Sequence, residues 1–412
     1  MEYVKGLVCI TCRRRYPPAP DRYLCSACGE KGLLDVDYDY PAIAGNWSRE
    51  KLARCADYSL WRYLPLLPID PETPRPAFAL GWTPLLTAPR LARELGVQTV
   101  YIKDDGLNPT GSLKDRASAI AVVKAREAGA STIACSSTGN AASSLAGNIA
   151  ASQGLKAVIF VPARAPQGKI AQLLIYGAKV ISVEGDYQAA FLLSAAALDK
   201  WGWYNRNAAI NPYLMEGKKT AVLELAEQLG WQLPDWLVVS VGDGCTIAGA
   251  GKALHDLAAL GFIDKIPKLI GVQAAGCAPI YDAFVSGKPL SPAQENTLAD
   301  SIAVGLPRNP EKALAAIRAT DGVMVTVTDA EILAAMRMLG RTSGVFGEPA
   351  SVAGLAGLAK LVQSGVVASE DTVAVVNTGN GLKDIKNALQ AAGKPLSVPP
   401  ELSALEQILE WS

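Results

Sequence analysis

The sequence predicts an α/β protein built on parallel sheets and preceded by a small four-cysteine ribbon. Three observations point there: short apolar strands alternate with helix-length segments, several strands end in polar or glycine-rich turns that open straight into helices, and four cysteines near the start form two CxxC pairs. At 412 residues the chain is long enough for more than one domain and a large core, and half of it is hydrophobic. Its 39 basic and 39 acidic residues cancel, so no global field draws it to nucleic acid or to an anionic membrane. Neither partner is expected. The start, MEYVKGLVCITCRRR, lacks an apolar core of signal-peptide length, and no apolar run is long enough to span a bilayer; a soluble cytoplasmic protein is the expectation.

Taken in order, Cys9, Cys12, Cys25 and Cys28 come first, two CxxC pairs around a twelve-residue spacer. Two such knuckles present four thiolates, enough to close the tetrahedral shell of a structural zinc without leaving a catalytic position. A disulfide-linked or metal-free loop is the competing reading. Cys55, Cys135, Cys245 and Cys277 are scattered, which is no disulfide framework. The run Arg13, Arg14 and Arg15 reads as a solvated face, and LLDVDYDY alternates as a strand does. Dense prolines from Pro65 to Pro89 forbid a helix interior or central strand and predict a linker or wrapping arm. A short extended piece and an amphipathic helix follow in GWTPLLTAPRLARELG, and TVYIKDD is a strand.

That strand feeds the turn NPTGSLKDRAS. Asn108, Pro109 and Gly111 are turn formers, Ser112 is the expected N-cap, and Asp115 completes a capping-box variant ahead of an apolar run. Lys114 therefore falls in the first helical turn, where the positive end of the macrodipole lowers an ammonium's pKa. An amine nucleophile wants that setting, although a solvated lysine on a capped surface helix fits the stretch equally. Strand and helix then alternate through STIACSS, AASSLAGNIAASQG, KAVIFVP, QGKIAQLLIYG and AKVISVEG. In open parallel sheets ligands bind in loops at the carboxyl ends of strands. Ser136 to Asn140 is one such loop, offering backbone N–H groups and one amide. DWLVVSVGDGCTIAGAGKAL makes another: a strand ending at Val241, then Gly242, Gly244 and Gly249 entering a helix. Its N–H groups can hold a phosphate, yet it matches neither the Walker nor the GxGxxG pattern; a purely structural turn is the alternative. The third, Asn377 to Gly381, offers the Thr378 hydroxyl to a ring nitrogen or to solvent. His255 is the single histidine, which disfavours a Ser/His/Asp or Cys/His hydrolase.

Together NPTGSLKDR, SSTGNAASSLA, the VGDGC loop, FGEPAS and TGNGLKD resemble the fold type II pyridoxal phosphate enzymes, and within them the threonine synthases. The resemblance runs from about Gly81 to Asp384. The four-cysteine leader is similar to that of the archaeal type. It implies a fold like the tryptophan synthase β-subunit: a zinc-ribbon-like segment at 1–45, a large cofactor-binding domain from 46–120 and 232–412, and a small mobile domain at 121–231. A homodimer acting on a small amino-acid substrate is also implied. Lys114 would form the Schiff base with pyridoxal 5'-phosphate, and Asn140 would bond its phenolic oxygen. Ser137, Thr138 and Gly139 would surround the substrate carboxylate. Gly242, Asp243, Gly244, Cys245 and Thr246 would hold the cofactor phosphate, and Thr378 would face the pyridine nitrogen. A neutral hydroxyl there makes a mild electron sink, suited to elimination and replacement.

The family reaction converts O-phosphohomoserine to threonine and phosphate. Threonine synthases commonly carry a segment like NSVNPYRLEGQKT; here AAINPYLMEGKKT puts Ala208 and Ala209 at the polar pair and Leu214 at the arginine, with Lys218 and Lys219 nearby and Lys218 expected to meet the substrate. Each lost charge-assisted bond is worth ~1.5 to 3 kcal/mol. Phe and His of the usual SFKDR and TGHGLKD have become Leu113 and Asn380. The alternatives are therefore β-replacement of the cysteate synthase kind, ammonia release from serine or threonine, or, from another class, a regulatory protein keeping the fold without turnover.

Overall fold

The computed structural model describes residues 1–163, 167–185, 187–207 and 209–409, with 167–169 and 187 by backbone alone. Ala208 of the altered segment lies outside the described residues. Three sheets organise the chain. Strands β1 (Val4–Cys9), β2 (Arg15–Tyr16) and β3 (Leu34–Tyr38) form an antiparallel sheet in the order β2-β1-β3. In β3 the alternation seen in LDVDY becomes Leu34, Val36 and Tyr38 buried with Asp35 and Asp37 half-exposed.

The large sheet takes β4 (Leu85–Thr87) and β5 (Thr99–Asp104). The small sheet takes β6 (Thr132–Ser136), β7 (Lys156–Pro162), β8 (Lys179–Val183) and β9 (Tyr204–Asn205), in the order β8-β7-β6-β9 and all parallel. The chain then returns to the large sheet with β10 (Trp236–Ser240), β11 (Lys268–Ala274), β12 (Val323–Val327) and β13 (Thr372–Asn377). The large-sheet order is β12-β11-β10-β13-β5-β4, parallel except that β4 runs against β5. Every residue of β10 is buried, as an inner strand covered on both faces must be.

One side of the large sheet packs on the helices Tyr213–Gln228 and Cys245–Ala259, together with Leu7, Cys9, Val36 and Tyr38 of the ribbon. The other side packs on the helices Pro349–Gln363 and Asp329–Ser343. The helix Lys114–Glu127 lies between the sheets: Ala119, Ile120 and Val123 join the large-sheet core while Ala117, Ala121, Val122 and Ala125 join the small-sheet core. Buried all round, it needs small and apolar side chains on every face. A division at 120/121 would fall inside this helix.

Three local expectations change. Ser112 does not cap the Lys114 helix: Leu113 occupies the N-cap without a side-chain bond, and the Ser112 Oγ is buried with no partner among the described residues. Asp115 turns back to Thr110 instead, accepting from its N–H (2.8 Å) and its hydroxyl (2.7 Å). The turn that precedes the helix thereby engages both carboxylate oxygens. Strand β10 stops at Ser240, one residue short, although the Val241 N–H still donates to Val272 O (2.7 Å). Pro65 belongs to the 3-10 turn Leu60–Leu66, most of which is buried.

Candidate active site

Turns that are far apart in sequence are stitched together by backbone bonds around Lys114. The Leu113 N–H donates to Thr378 O (2.8 Å), and the Asn380 N–H donates to Gly111 O (3.0 Å). From the FGEPAS segment, the Glu348 N–H reaches Gly379 O (3.0 Å), and the Gly381 N–H reaches Phe346 O (2.8 Å). Asn140, first residue of the helix Asn140–Ala150, donates its amide to Glu348 Oε1 (2.6 Å). Three of the sequence motifs and the Asn140 loop thus meet, and Lys114 stands at the first turn of its helix among them. Ser137, Thr138, Gly139, Lys114 and Thr378 are half-buried, and the Ser137 hydroxyl accepts the Gly139 N–H (3.2 Å).

Gly217 sets the electrostatics of Lys114. A Cβ at that position would lie 2.2 Å from Arg116 O, so only glycine lets the Tyr213–Gln228 helix press against the Lys114 helix this closely. The next residue, Lys218, is buried and has no ion-pair or hydrogen-bond partner among the described residues. Its ammonium is the foremost reason that the pKa of Lys114 is pulled down to about 7; burial acts next, and Arg206 adds to both. The expected depression is present. Its foremost cause is a neighbouring cation, of which the sequence carries no local sign. Lys218 itself is lowered by burial and by Arg206.

Arg206 was not legible as a site residue. Its guanidinium is wholly buried beyond the end of β9, where Nε and Nη2 donate to the Ser118 hydroxyl (3.1 and 3.0 Å). Nη1 has no partner among the described residues. Ser118 lies one turn along the helix from Lys114, which puts this third cation beneath the first. Burial lowers the Arg206 pKa, while Cys245 and Asp115 oppose it.

The glycine loop faces the same cations. Asp243 and Cys245 are the groups that partly offset the charge on Lys114 and Lys218, so the start of the helix Cys245–Ala259 points to them. The reason for its glycines differs from the expectation. Gly244 has φ +88°, and a Cβ there would lie 2.6 Å from Asn309 O; one on Gly242 would lie 3.0 Å from Ile302 Cα. Gly249 abuts Met215 O at 3.3 Å. These residues are glycine because protein backbone approaches them, and anion affinity comes from the helix start and the cations. Thr246 and Asp243 are half-buried, and Cys245 is buried. Three cations facing one carboxylate, one of them with an unsatisfied buried N–H, together with the Asn140 amide and the Thr378 hydroxyl, fit a phosphate-bearing ring cofactor that reacts with an amine.

Lys219 lies elsewhere. Its ammonium is paired with Glu216 (2.5 Å) and Asp256 (2.7 Å), and the Tyr38 hydroxyl donates to Glu216 (2.8 Å). Leu214 is buried in the small-sheet core, and His255 is largely exposed beside Tyr40. In the ribbon, the four sulfurs of Cys9, Cys12, Cys25 and Cys28 lie within 4.8 Å of one another. The Tyr16 hydroxyl, 3.0 Å from the Cys25 sulfur, brings that thiol down to about 6, and a Cβ on Gly32 would crowd Cys25 and Cys28 at 2.6 and 2.7 Å. Such a sulfur cluster fits a tetrahedral metal ion.

The family described as "Pyridoxal-phosphate dependent enzyme" matches residues 77–379. Threonine synthase of Methanocaldococcus jannaschii is 38% identical over 405 residues, covering 98% of both chains. That of Methanosarcina acetivorans is 40% identical over 406 residues, again covering 98% of both. Diaminopropionate ammonia lyase of Escherichia coli shares the fold, with a TM-score of 0.66 at 20% identity, over 84% of this chain and 92% of its own.

Proposed function

Because the chain belongs to the pyridoxal-phosphate dependent enzymes, we propose that it is a lyase of the threonine synthase type, converting O-phosphohomoserine to threonine and phosphate with Lys114 as its cofactor-binding and proton-moving lysine. One observation carries the reading: an amine held at about 7 by Lys218, at the junction of the expected motifs, in a chain 38 to 40% identical to threonine synthases across almost its whole length. When bound, pyridoxal phosphate supplies an electron sink for negative charge developing beside the substrate nitrogen. The chain's own residues do the rest. Near neutral pH Lys114 is substantially uncharged, so its Nζ can attack a carbonyl and later accept or return a proton. The N–H groups from Gly244 to Thr246 hold the cofactor phosphate at the start of their helix. Asn140, fixed by Glu348, orients the ring oxygen, and Thr378 meets the ring nitrogen with a neutral hydroxyl. Ser137, Thr138 and Gly139 take the substrate carboxylate.

The substrate phosphate needs positive charge, and Leu214 is buried where relatives of the resembled type carry arginine. Lys218 and Arg206 supply that charge in this reading. The small-sheet unit, residues 121–231, closes over a large domain formed by 46–120 and 232–412, with the ribbon at 1–45 holding zinc. A homodimer in the cytoplasm completes the proposal; among the described residues no helix is long and apolar enough to cross a membrane. The test is release of threonine and phosphate from O-phosphohomoserine by the purified enzyme. Equal amounts of both are expected. Silence with that substrate, together with ammonia release from serine or threonine, would replace the threonine synthase assignment by the elimination alternative.

A further inference from the structure

The ribbon is joined to the body of the protein on two sides, and the two sides differ. Strand β3 is fixed to the large-sheet helices: Lys252 donates to Val36 O (3.0 Å), Lys312 donates to Leu34 O (2.6 Å), and Tyr38 reaches Glu216. The loop between the cysteine pairs crosses instead to the end of the small sheet and the start of the Tyr213–Gln228 helix. There the Tyr213 hydroxyl donates to Ala19 O (2.5 Å), the Tyr204 hydroxyl to Pro20 O (3.2 Å), and the Asn205 N–H to the Tyr23 hydroxyl (3.3 Å). The Tyr23 ring meets Tyr204 edge-on, with centroids 5.8 Å apart. All of these partners belong to the stretch from β9 to the start of the Tyr213–Gln228 helix. That stretch carries Arg206.

The described residues of this stretch have little regular structure of their own. Strand β9 is two residues long and, among the described residues, pairs only with β6. Side chains hold the remainder: Asn211 Nδ2 donates to the Tyr204 hydroxyl and to Asn205 O (both 3.0 Å), and Asn207 Oδ1 accepts the Ser136 N–H (3.0 Å). Tyr204 is therefore a shared node, touching the ribbon loop by its hydroxyl and ring and Asn211 by the same hydroxyl. Displacing it would loosen Asn211 and, through it, Asn205, which lie on either side of Arg206 in the chain; the Arg206 side chain must itself stay under Ser118 to face Lys114.

We infer that the loop between the two cysteine pairs is a positioning element for the substrate side of the active site: Ala19, Pro20 and Tyr23 hold Tyr204, Asn205 and Tyr213, and through them Arg206. A metal ion held by Cys9, Cys12, Cys25 and Cys28 would close both ends of that loop, which would give the ribbon a task in substrate handling rather than in nucleic-acid binding. The inference rests on the reading of the Lys114 site given above.

Hydrogen exchange on the full-length protein tests it, in the wild type, Tyr23→Phe and Tyr23→Ala, with metal content measured in each. None of these changes touches a cysteine or the active site. Amides from 204 to 213 are expected to exchange roughly tenfold faster in Tyr23→Ala, and less so in Tyr23→Phe, which keeps the ring contact. Strands β10 and β13 should be unchanged. The KM for O-phosphohomoserine should rise several-fold in Tyr23→Ala, kcat should stay within about twofold, and Tyr23→Phe should recover part of the loss. Unchanged exchange at 204–213, faster exchange throughout the protein, or equal KM values would each overturn the inference. The exchange measurement needs no substrate, so a wild type inactive on O-phosphohomoserine would count against the proposed reaction and leave the positioning role to be decided by exchange alone.

Discussion

Two sets of buried cations flank the same helix, and they are built on opposite principles. Arg116 donates to both oxygens of Glu224 (2.5 and 2.7 Å) and to both oxygens of Asp105 (2.8 and 2.7 Å), while Lys103 lies 2.8 Å from Glu224. Two residues earlier, Lys114 faces Lys218 and Arg206 with no carboxylate bonded to any of them among the described residues. The Tyr213–Gln228 helix repeats the contrast at adjacent positions, with Lys219 paired and Lys218 unpaired. Neighbours one or two apart on a helix point in different directions, so a single helix serves both purposes. Paired charges hold the fold and lose much when one partner goes; unpaired ones lower one another's pKa and await an anion.

The comparison is broken most severely at the unpaired amine itself. Lys114→Ala should abolish the absorbance band of the lysine-linked cofactor and reduce turnover by roughly 10³-fold or more, with unfolding by urea little changed. Next comes the paired set. Glu224→Gln leaves Arg116 and Lys103 short of a charge, and the cost should be about 3 to 5 kcal/mol in urea unfolding. Lys218→Met, by contrast, strands no partner and should cost less than ~1 kcal/mol. Equal losses in the two variants would erase the distinction.

Acid should read the paired set as well. Burial acts to raise the Glu224 carboxyl, but Arg116 and Lys103 outweigh it and hold the group down to about 2. Since the folded value lies below the unfolded one, its contribution is full above the ordinary glutamate range near ~4.3 and is lost as pH falls toward 2. That contribution is roughly 3 kcal/mol, and Glu224→Gln should flatten the wild-type decline in that window. A smaller effect is expected at Asn140: Glu348→Gln weakens a charge-assisted bond of 2.6 Å to a neutral one, and cofactor affinity should fall by about three- to tenfold in an absorbance titration.

The two sets also mark what could be seen in the sequence. Strands β3 to β8, β10 and β13, and the turns after β5, β6, β10 and β13 that bring Lys114, Asn140 and Thr378 together, were legible because each is a local pattern of apolar runs and turn formers, whereas β9, β11 and β12 were not. The pairing of Lys219 and the isolation of Lys218 were not, since they depend on Asp256 and on Gly217 meeting Arg116 O across two helices. Arg206 carried no local signal: it follows a two-residue strand and acquires its place from Ser118 and Ser144. Asp115 satisfied the spacing of a capping box, yet five residues of tight turn brought Thr110 within its reach. Glycines at 242 and 244 suggested ligand approach, whereas Ile302 and Asn309, distant in sequence, are what they accommodate.

The most direct test of the unpaired set is the titration of Lys114 in the cofactor-free protein, followed by pH-dependent acylation and mass spectrometry of its peptide. In the wild type the midpoint should lie near pH 7, and in Lys218→Met it should move upward, because removing a facing cation makes the protonated form easier to keep. A wild-type midpoint at the ordinary lysine value of about 10.4, or one that Lys218→Met leaves in place, would contradict the account.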